Sequence, residues 1–364
     1  MWSAVDKKLR ELIERLANER HLSEAEYQYL IENRTEEAAA LLAEKAVAAR
    51  RAVYGNRVYV RGLIEISNIC KNDCLYCGIR CSNSEVNRYR LTKEEILSCC
   101  REGYRLGFRT FVMQGGEDAA FSDDVLRDII SAIKLEHPDC AVTLSLGERS
   151  KESYQRLKEA GADRYLLRHE TATKEHYEKL HPKAMAFDRR MRCLSDLKEL
   201  GYQVGCGFMV GSPYQTAAHL AKDLKFVEEF SPDMCGIGPF ITHPKTPFAN
   251  EPSGDAGLTC YLLSVIRLMH PHILLPATTA LGTVAGDGRV RGILAGANVV
   301  MPNLSPLSVR KKYELYQNKI NTDAESAQQI ELLREQMRAI GYEVFVGRGD
   351  VERRQKEETN DGNL

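Results

Sequence analysis

Apolar positions near the N-terminus recur with helical spacing. Leu9, Leu12, Ile13 and Leu16 fall on one face, Ser23 with Glu26 forms a capping box for a second helix, and Thr35 opens a third, alanine-rich helix through Ala48. Residues 1–50 therefore read as a helical extension with no chemistry in it. From residue 57 the pattern changes to short strand-like runs separated by helix-like ones. The strands are expected at residues 58–66, 108–114, 141–146, 164–168, 203–210, 234–240, 273–279 and 298–301. Thr92 with Glu95 caps one of the intervening helices, Gly161 stops another, and residues 217–229 and 258–269 supply two more.

Eight strands with helical connections over about 250 residues match an α/β fold of the (β/α)8 TIM-type barrel class. A doubly wound open sheet is the competing topology. A further helix is expected at 324–340 and a terminal strand at 342–346. The organisation expected is thus a helical extension at 1–50, a barrel domain at 51–348 and a polar C-terminal tail at 349–364.

Composition narrows the function classes. The 364 residues are 43% hydrophobic, enough for a sizeable core, and 50 basic residues nearly balance 51 acidic ones for a net charge of −1. That balance argues against nucleic acid as a partner. No run approaches 18 consecutive apolar residues, so no membrane span is expected. The N-terminus enters charged residues at once and lacks a signal-peptide core, so the chain reads as a cytoplasmic enzyme. Eleven cysteines without an export signal suggest metal binding, catalysis or burial rather than disulfides.

The cysteine distribution is informative. Cys140, Cys193, Cys206, Cys235 and Cys260 are scattered through apolar segments, but Cys70, Cys74, Cys77 and Cys81 lie within twelve residues, directly after the first strand. Asn68, Asn72 and Asp73 let this loop curl. Three thiolates at spacings of four and three suit a polynuclear iron–sulfur centre with one iron left open to a small molecule. A zinc site using Cys81 as fourth ligand is the alternative.

Other strand ends carry candidate binding groups. Gly115, Gly116 and Glu117 follow the second strand, where paired glycines permit close backbone approach. Thr143 and Ser145 share one side of the third strand. Arg168, His169 and Glu170 end the fourth, where ionisable groups are costly to bury without a partner. Arg190 lies twenty residues on, and Thr278 and Thr279 end the seventh strand.

The Cys-x3-Cys-x2-Cys loop, the aromatic Tyr76 before its last cysteine, and the Gly-Gly-Glu turn one strand later resemble the radical S-adenosylmethionine (radical SAM) family. The resemblance implies a 4Fe-4S cluster on Cys70, Cys74 and Cys77, with SAM bound to the open iron and cleaved to a 5′-deoxyadenosyl radical. It leaves Cys81 as a spare thiol. Asn-Arg-Tyr-Arg-Leu-Thr (87–92), Arg-His-Glu-Thr (168–171), Gly-Ile-Gly-Pro-Phe (236–240) and Pro-Ala-Thr-Thr (276–279) narrow it to the HydE-type maturases of FeFe-hydrogenase, over residues 50–345. That implies a small iron complex carrying cysteine, CO and cyanide as substrate, an electron donor, and other hydrogenase maturation proteins as partners. Tyr76, Gly115, Gly116, Glu117, Ser145, Arg168, Glu170 and Arg190 would contact SAM, with Ser145, Thr278 and Thr279 toward the substrate. The last cysteine is Cys260, so no accessory C-terminal cluster is expected. Methylornithine synthase and biotin synthase are related alternatives, and a zinc-stabilised scaffold is the non-enzymatic one.

Overall fold

In the computed structural model, which describes residues 4–320 and 326–352, the expected strands stand side by side in a closed ring. Side-chain alternation explains the ring. Val58, Val60, Ile64, Ile66, Phe111, Met113, Val142, Leu144, Tyr165 and Leu167 are buried in one apolar layer beneath the helices. Residues one position out of phase, including Leu63, Glu65, Val112, Gln114, Thr143 and Ser145, face the lumen.

Six strands pair in parallel in chain order: Gly62–Ser67, Thr110–Gly115, Ala141–Ser145, Arg164–Leu166, Gln203–Cys206 and Met234–Cys235. Closure runs through shorter contacts. Met234 pairs with Leu274, Pro276 with Val299, and Val299 with Tyr59 on Arg57–Val60, the lower half of the first strand. Leu274 N–H donates to Asp233 O at 3.0 Å, Ala277 N–H to Val299 O at 2.9 Å, and Arg61 N–H to Val300 O at 3.0 Å. Every gap between neighbouring strands is bridged, which rules out the open doubly wound sheet.

Several expected strands are shorter than their sequence patterns. The fifth and sixth break at Gly207 and Gly236 and resume as the pair Met209–Val210 and Gly238–Pro239. A Cβ on Gly207 would sit 2.0 Å from Gly236 O, so the two backbones cross closely there. The seventh strand stops early because Pro276 has no N–H to continue the ladder. Thr278 instead caps the helix Thr279–Val284, its hydroxyl accepting from Leu281 N–H.

The N-terminal helices Ala4–Glu19, Glu24–Glu32 and Glu36–Tyr54 begin at the expected caps where Ser23, Thr35 and Glu26 are concerned. Leu9, Leu12, Ile13 and Leu16 join the same apolar layer as the barrel, and the three helices pack on Ala217–Phe230 and Ala256–Met269. At the other end, the turn Ala327–Gln329 leads into Ile330–Ala339, and Glu343–Phe345 pairs in parallel with Arg57–Val60. Residues 324 and 325 of the expected helix lie outside the described residues, as do 353–364 of the expected tail.

The start of that tail is not a tail. Residues 348–352 fold across the N-terminal mouth of the barrel. Arg164, fully buried, donates to Arg348 O at 2.7 Å and to Asp350 Oδ1 at 2.6 Å, while Gln203 Nε2 reaches the same oxygen at 2.9 Å. Thr110 Oγ1 donates to Arg348 O at 2.7 Å, and Arg348 Nη2 to Asp163 Oδ1 at 2.8 Å. The polar look of the segment reflects ionic sealing of a barrel end rather than solvation. Burial alone would raise the Asp350 carboxyl, but the bonds from Arg348 and Gln203 and the charge of Arg164 hold it well below the usual range. Asp350→Asn is therefore expected to lower apoprotein stability at pH 7 by about 1.5 kcal/mol, the low end for a charged hydrogen bond because the carboxylate keeps solvent contact. A depressed carboxylate stabilises above the ordinary aspartate value near 4 and loses that contribution below it. Thermal unfolding should thus show the gap narrowing from about pH 5 to pH 3; a gap that widened on acidification would contradict this.

Candidate active site

The first strand ends at Ser67, and the chain turns over the C-terminal mouth, where barrel enzymes carry their chemistry. Asn68 anchors the turn: Nδ2 donates to Asn87 O at 3.0 Å and Lys312 O at 2.7 Å, and Oδ1 accepts from Tyr89 N–H at 2.8 Å. Asp73 draws the loop together by accepting from Arg80 Nε at 2.7 Å and from Ser82. Cys70, Cys74 and Cys77 are reduced and half-buried, whereas Cys81 is exposed. Cys70 Sγ accepts from Glu117 N–H at 3.4 Å, and Cys74 Sγ stands 3.6 Å from Met185 Sδ. Burial pushes all three thiols up, Cys77 to about 12, so they await a cation that favours the thiolate.

Gly115 and Gly116 lie directly against the loop. A Cβ on Gly116 would fall 2.3 Å from Ile69 O and 2.7 Å from Cys70 Cβ. The Glu117 carboxylate is spent on the protein itself: it accepts from Glu148 N–H at 3.0 Å and pairs with Lys71 at 3.0 Å. This turn offers a ligand its main chain, not its carboxylate. The Tyr76 hydroxyl donates to His181 Nε2 at 3.1 Å while His181 Nδ1–H donates to Tyr177 O at 2.9 Å.

The third and fourth strand ends continue the same wall. Ser145 stands in register beside Gln114, which is in register with Glu65. The Thr143 hydroxyl is buried without a partner. Glu170 adopts φ +66°, a left-handed conformation that costs a non-glycine residue about 1 kcal/mol or more. Arg168 Nη2 lies 3.1 Å from Glu170 Oε2, but out of alignment. Those two atoms, and Arg168 Nε, have no hydrogen-bonding partner. Arg190 is better satisfied, its Nε donating to Glu148 at 2.7 Å and Nη1 to Arg168 O at 2.9 Å. Its charge also acts on Cys74 and Tyr76.

Thus the structure brings the cysteine loop, the glycine turn, Ser145, Arg168, Glu170 and Arg190 to one barrel mouth. Thr278 and Thr279 lie at the helix start described above, with Thr278 Oγ1 close over Gly238. Sequence reasoning missed Glu148, which holds Arg190, and the segment 311–320, which crosses the mouth. There Leu315 O accepts from Gly78 N–H at 2.8 Å, Gln317 N–H donates to Thr242 O at 2.9 Å, and buried Lys319 pairs with buried Glu65. Glu65 also accepts from Asn303 at 2.9 Å. A lone acid in an apolar strand signals such a partner, but not where it comes from. Cys140, Cys206 and Cys235 face the apolar layer outside the barrel, so they supply no ligand set for a second cluster in the lumen.

Comparison with known proteins agrees with this geometry. Residues 64–227 match the radical SAM superfamily. The chain is 49% identical to the [FeFe] hydrogenase maturase subunit HydE of Thermotoga maritima over 271 residues, covering 74% of this chain and 77% of that one. It is 32% identical to 3-methylornithine synthase of Methanosarcina barkeri, over 72% of this chain and 75% of that one. The crystal structure of methylornithine synthase superposes with a TM-score of 0.80 at 26% identity, covering 92% and 97% of the two chains. A thiol loop, a glycine turn and an unsatisfied Arg–Glu pair at one barrel mouth thus have their counterpart in sequence: the chain belongs to the radical SAM superfamily and, within it, to the HydE branch, and is an enzyme that uses a 4Fe-4S cluster and SAM.

Proposed function

We infer that the enzyme cleaves SAM reductively and directs the resulting 5′-deoxyadenosyl radical at a small sulfur-containing iron complex during assembly of the diiron subcluster of FeFe-hydrogenase. The observation that carries this reading is the 49% identity to HydE over most of the chain. Cys70, Cys74 and Cys77 would hold the cluster, and three reduced thiols on one tied loop fit it. When bound, the cluster supplies the electron that breaks a carbon–sulfur bond of SAM. Gly115 and Gly116 would present main chain to the SAM amino group. Arg168 Nε and Nη2 and Glu170 Oε2, left without partners by the protein, are the donors and acceptor for its carboxylate and ribose. Glu148 aims Arg190 toward the same ligand. Ser145 would stand where adenosine meets substrate, with Thr143, Thr278 and Thr279 farther along the lumen. An electron donor and other maturation proteins complete the partner set.

A methylornithine synthase-like reading is favoured by the likeness of fold and by a lower sequence identity of 32%. It needs ionic partners for both ends of a free amino acid. Glu65, the buried lumen acid, is already taken by Lys319 and Asn303.

Anaerobic reconstitution followed by low-temperature EPR tests the cofactor site. The reduced protein should give a 4Fe-4S signal that changes on adding SAM; stoichiometric zinc without a paramagnetic cluster would overturn the reading. Cys74→Ala should lose both cluster and SAM cleavage. Arg190→Ala should keep the cluster but bind SAM about tenfold more weakly or worse, the loss of a guanidinium–carboxylate pair. The substrate is tested by complementation. Hydrogenase activity restored to a host lacking its own HydE supports the maturase, whereas methylornithine formed from lysine would replace it with the second reading.

A further inference from the structure

Behind the end of the fourth strand lies a buried polar pair that nothing above employs. Asp223, on Ala217–Phe230, takes a position in that helix's apolar stripe with Leu220, Leu224 and Val227, and is fully buried. Its Oδ1 accepts from Ala172 N–H at 2.5 Å and faces His169 Nε2 at 3.5 Å. His169 is equally buried, its ring set among Phe208 and Phe226 at centroid distances of 5.8 and 4.6 Å. His169 Nδ1 accepts from Gly207 N–H at 3.3 Å, which places the single ring proton on Nε2, pointing at Asp223. Burial pushes the imidazole down to about 3 and the Asp223 carboxyl up, because it disfavours the charged form of each. Packing alone would favour leucine at such a position.

The Ala172 hydrogen bond and the close His169 contact fall on either side of Glu170 and so bracket it. Glu170 N–H donates to Gly207 O at 3.0 Å, and its carbonyl accepts from Met209 N–H at 3.4 Å. These bonds fix where the residue sits. Its left-handed backbone needs the turn on both sides to be held as well, because without that support the segment relaxes and the side chain swings away. We propose that Asp223 is a positioning residue that, through the Ala172 amide and His169, holds the 168–172 turn so that Glu170 points into the SAM site. The proposal rests on the reading of Glu170 as a SAM-binding residue. Only Oδ1 faces both groups: it accepts from the Ala172 amide, while His169 Nε2 lies 3.5 Å away without completing a hydrogen bond and Asp223 Oδ2 has no partner. An asparagine therefore keeps the function, and a leucine of similar size abolishes it.

The test is SAM affinity of the anaerobically reconstituted enzyme, read by equilibrium dialysis and by the SAM-dependent EPR change, with cluster content and unfolding temperature recorded for each variant. Asp223→Leu should bind SAM at least tenfold more weakly, Asp223→Asn within twofold of wild type. In a Glu170→Ala background Asp223→Leu should cost nothing further. Hydrogen–deuterium exchange at residues 168–173 should quicken in Asp223→Leu and not in Asp223→Asn. Should the leucine variant fail to load a cluster, His169→Phe removes the His169 contact in its place and should weaken SAM severalfold, again only when Glu170 is present. Wild-type affinity in Asp223→Leu, equal losses for leucine and asparagine, or losses that add to Glu170→Ala would each overturn the positioning role while leaving Glu170 in place. Wild-type affinity in Glu170→Ala would instead overturn the reading of Glu170, and this proposal with it.

Discussion

A charged group inside a closed barrel has to find a counterpart, because an isolated charge in that low-dielectric interior costs several kcal/mol. The lumen is organised around this constraint. At the N-terminal mouth Arg164 meets Asp350, brought from the far end of the chain. At the C-terminal mouth Glu65 meets Lys319 and Arg190 meets Glu148. Against that background Arg168 and Glu170 stand out, close together yet with buried polar atoms left over. Arg50 and Arg61, buried elsewhere, likewise keep atoms without hydrogen-bonding partners; the Arg168–Glu170 pair differs in standing at the mouth that carries the cysteine loop.

Much of this was legible in the sequence, for identifiable reasons. The barrel could be read because period-two apolar runs such as residues 58–66 alternate with capped helices, and the caps at Ser23 and Thr92 form as read. The cysteine loop could be read because its chemistry is local: three thiols within eight residues share a site whatever the fold does. Arg168 and Glu170 were legible as charges at the end of an apolar strand. What escaped depends on contacts distant in sequence. Nothing near Asp350 announces Arg164, and the stretch 311–320 carries no pattern that places it over the mouth. Asp223 left a trace, a carboxylate within an apolar helical stripe, but a trace that names no partner.

Strand lengths were overestimated for a different reason. Hydrophobic runs such as 203–210 and 273–279 are continuous in sequence, yet glycine crossings at Gly207 and Gly236 and the missing N–H of Pro276 break the ladder within them. These breaks all fall on one side of the ring. The first four strands therefore form a regular wall carrying the thiol loop, the glycine turn and the Arg168–Glu170 pair. The later strands form a looser one.

The first strand bears on how the molecule is made. Arg57–Val60 pairs on one side with Val299–Val300 and on the other with Glu343–Phe345, so it completes its hydrogen bonds only with strands made long after it. During synthesis the cysteine loop that follows it is carried on an unfinished edge. Its thiols are exposed to oxidation and to stray metal until the ring closes. Topology of this kind folds slowly. A cell making this enzyme must therefore shield this loop until the ring closes, and low-oxygen growth should raise the yield of protein able to take up its cluster.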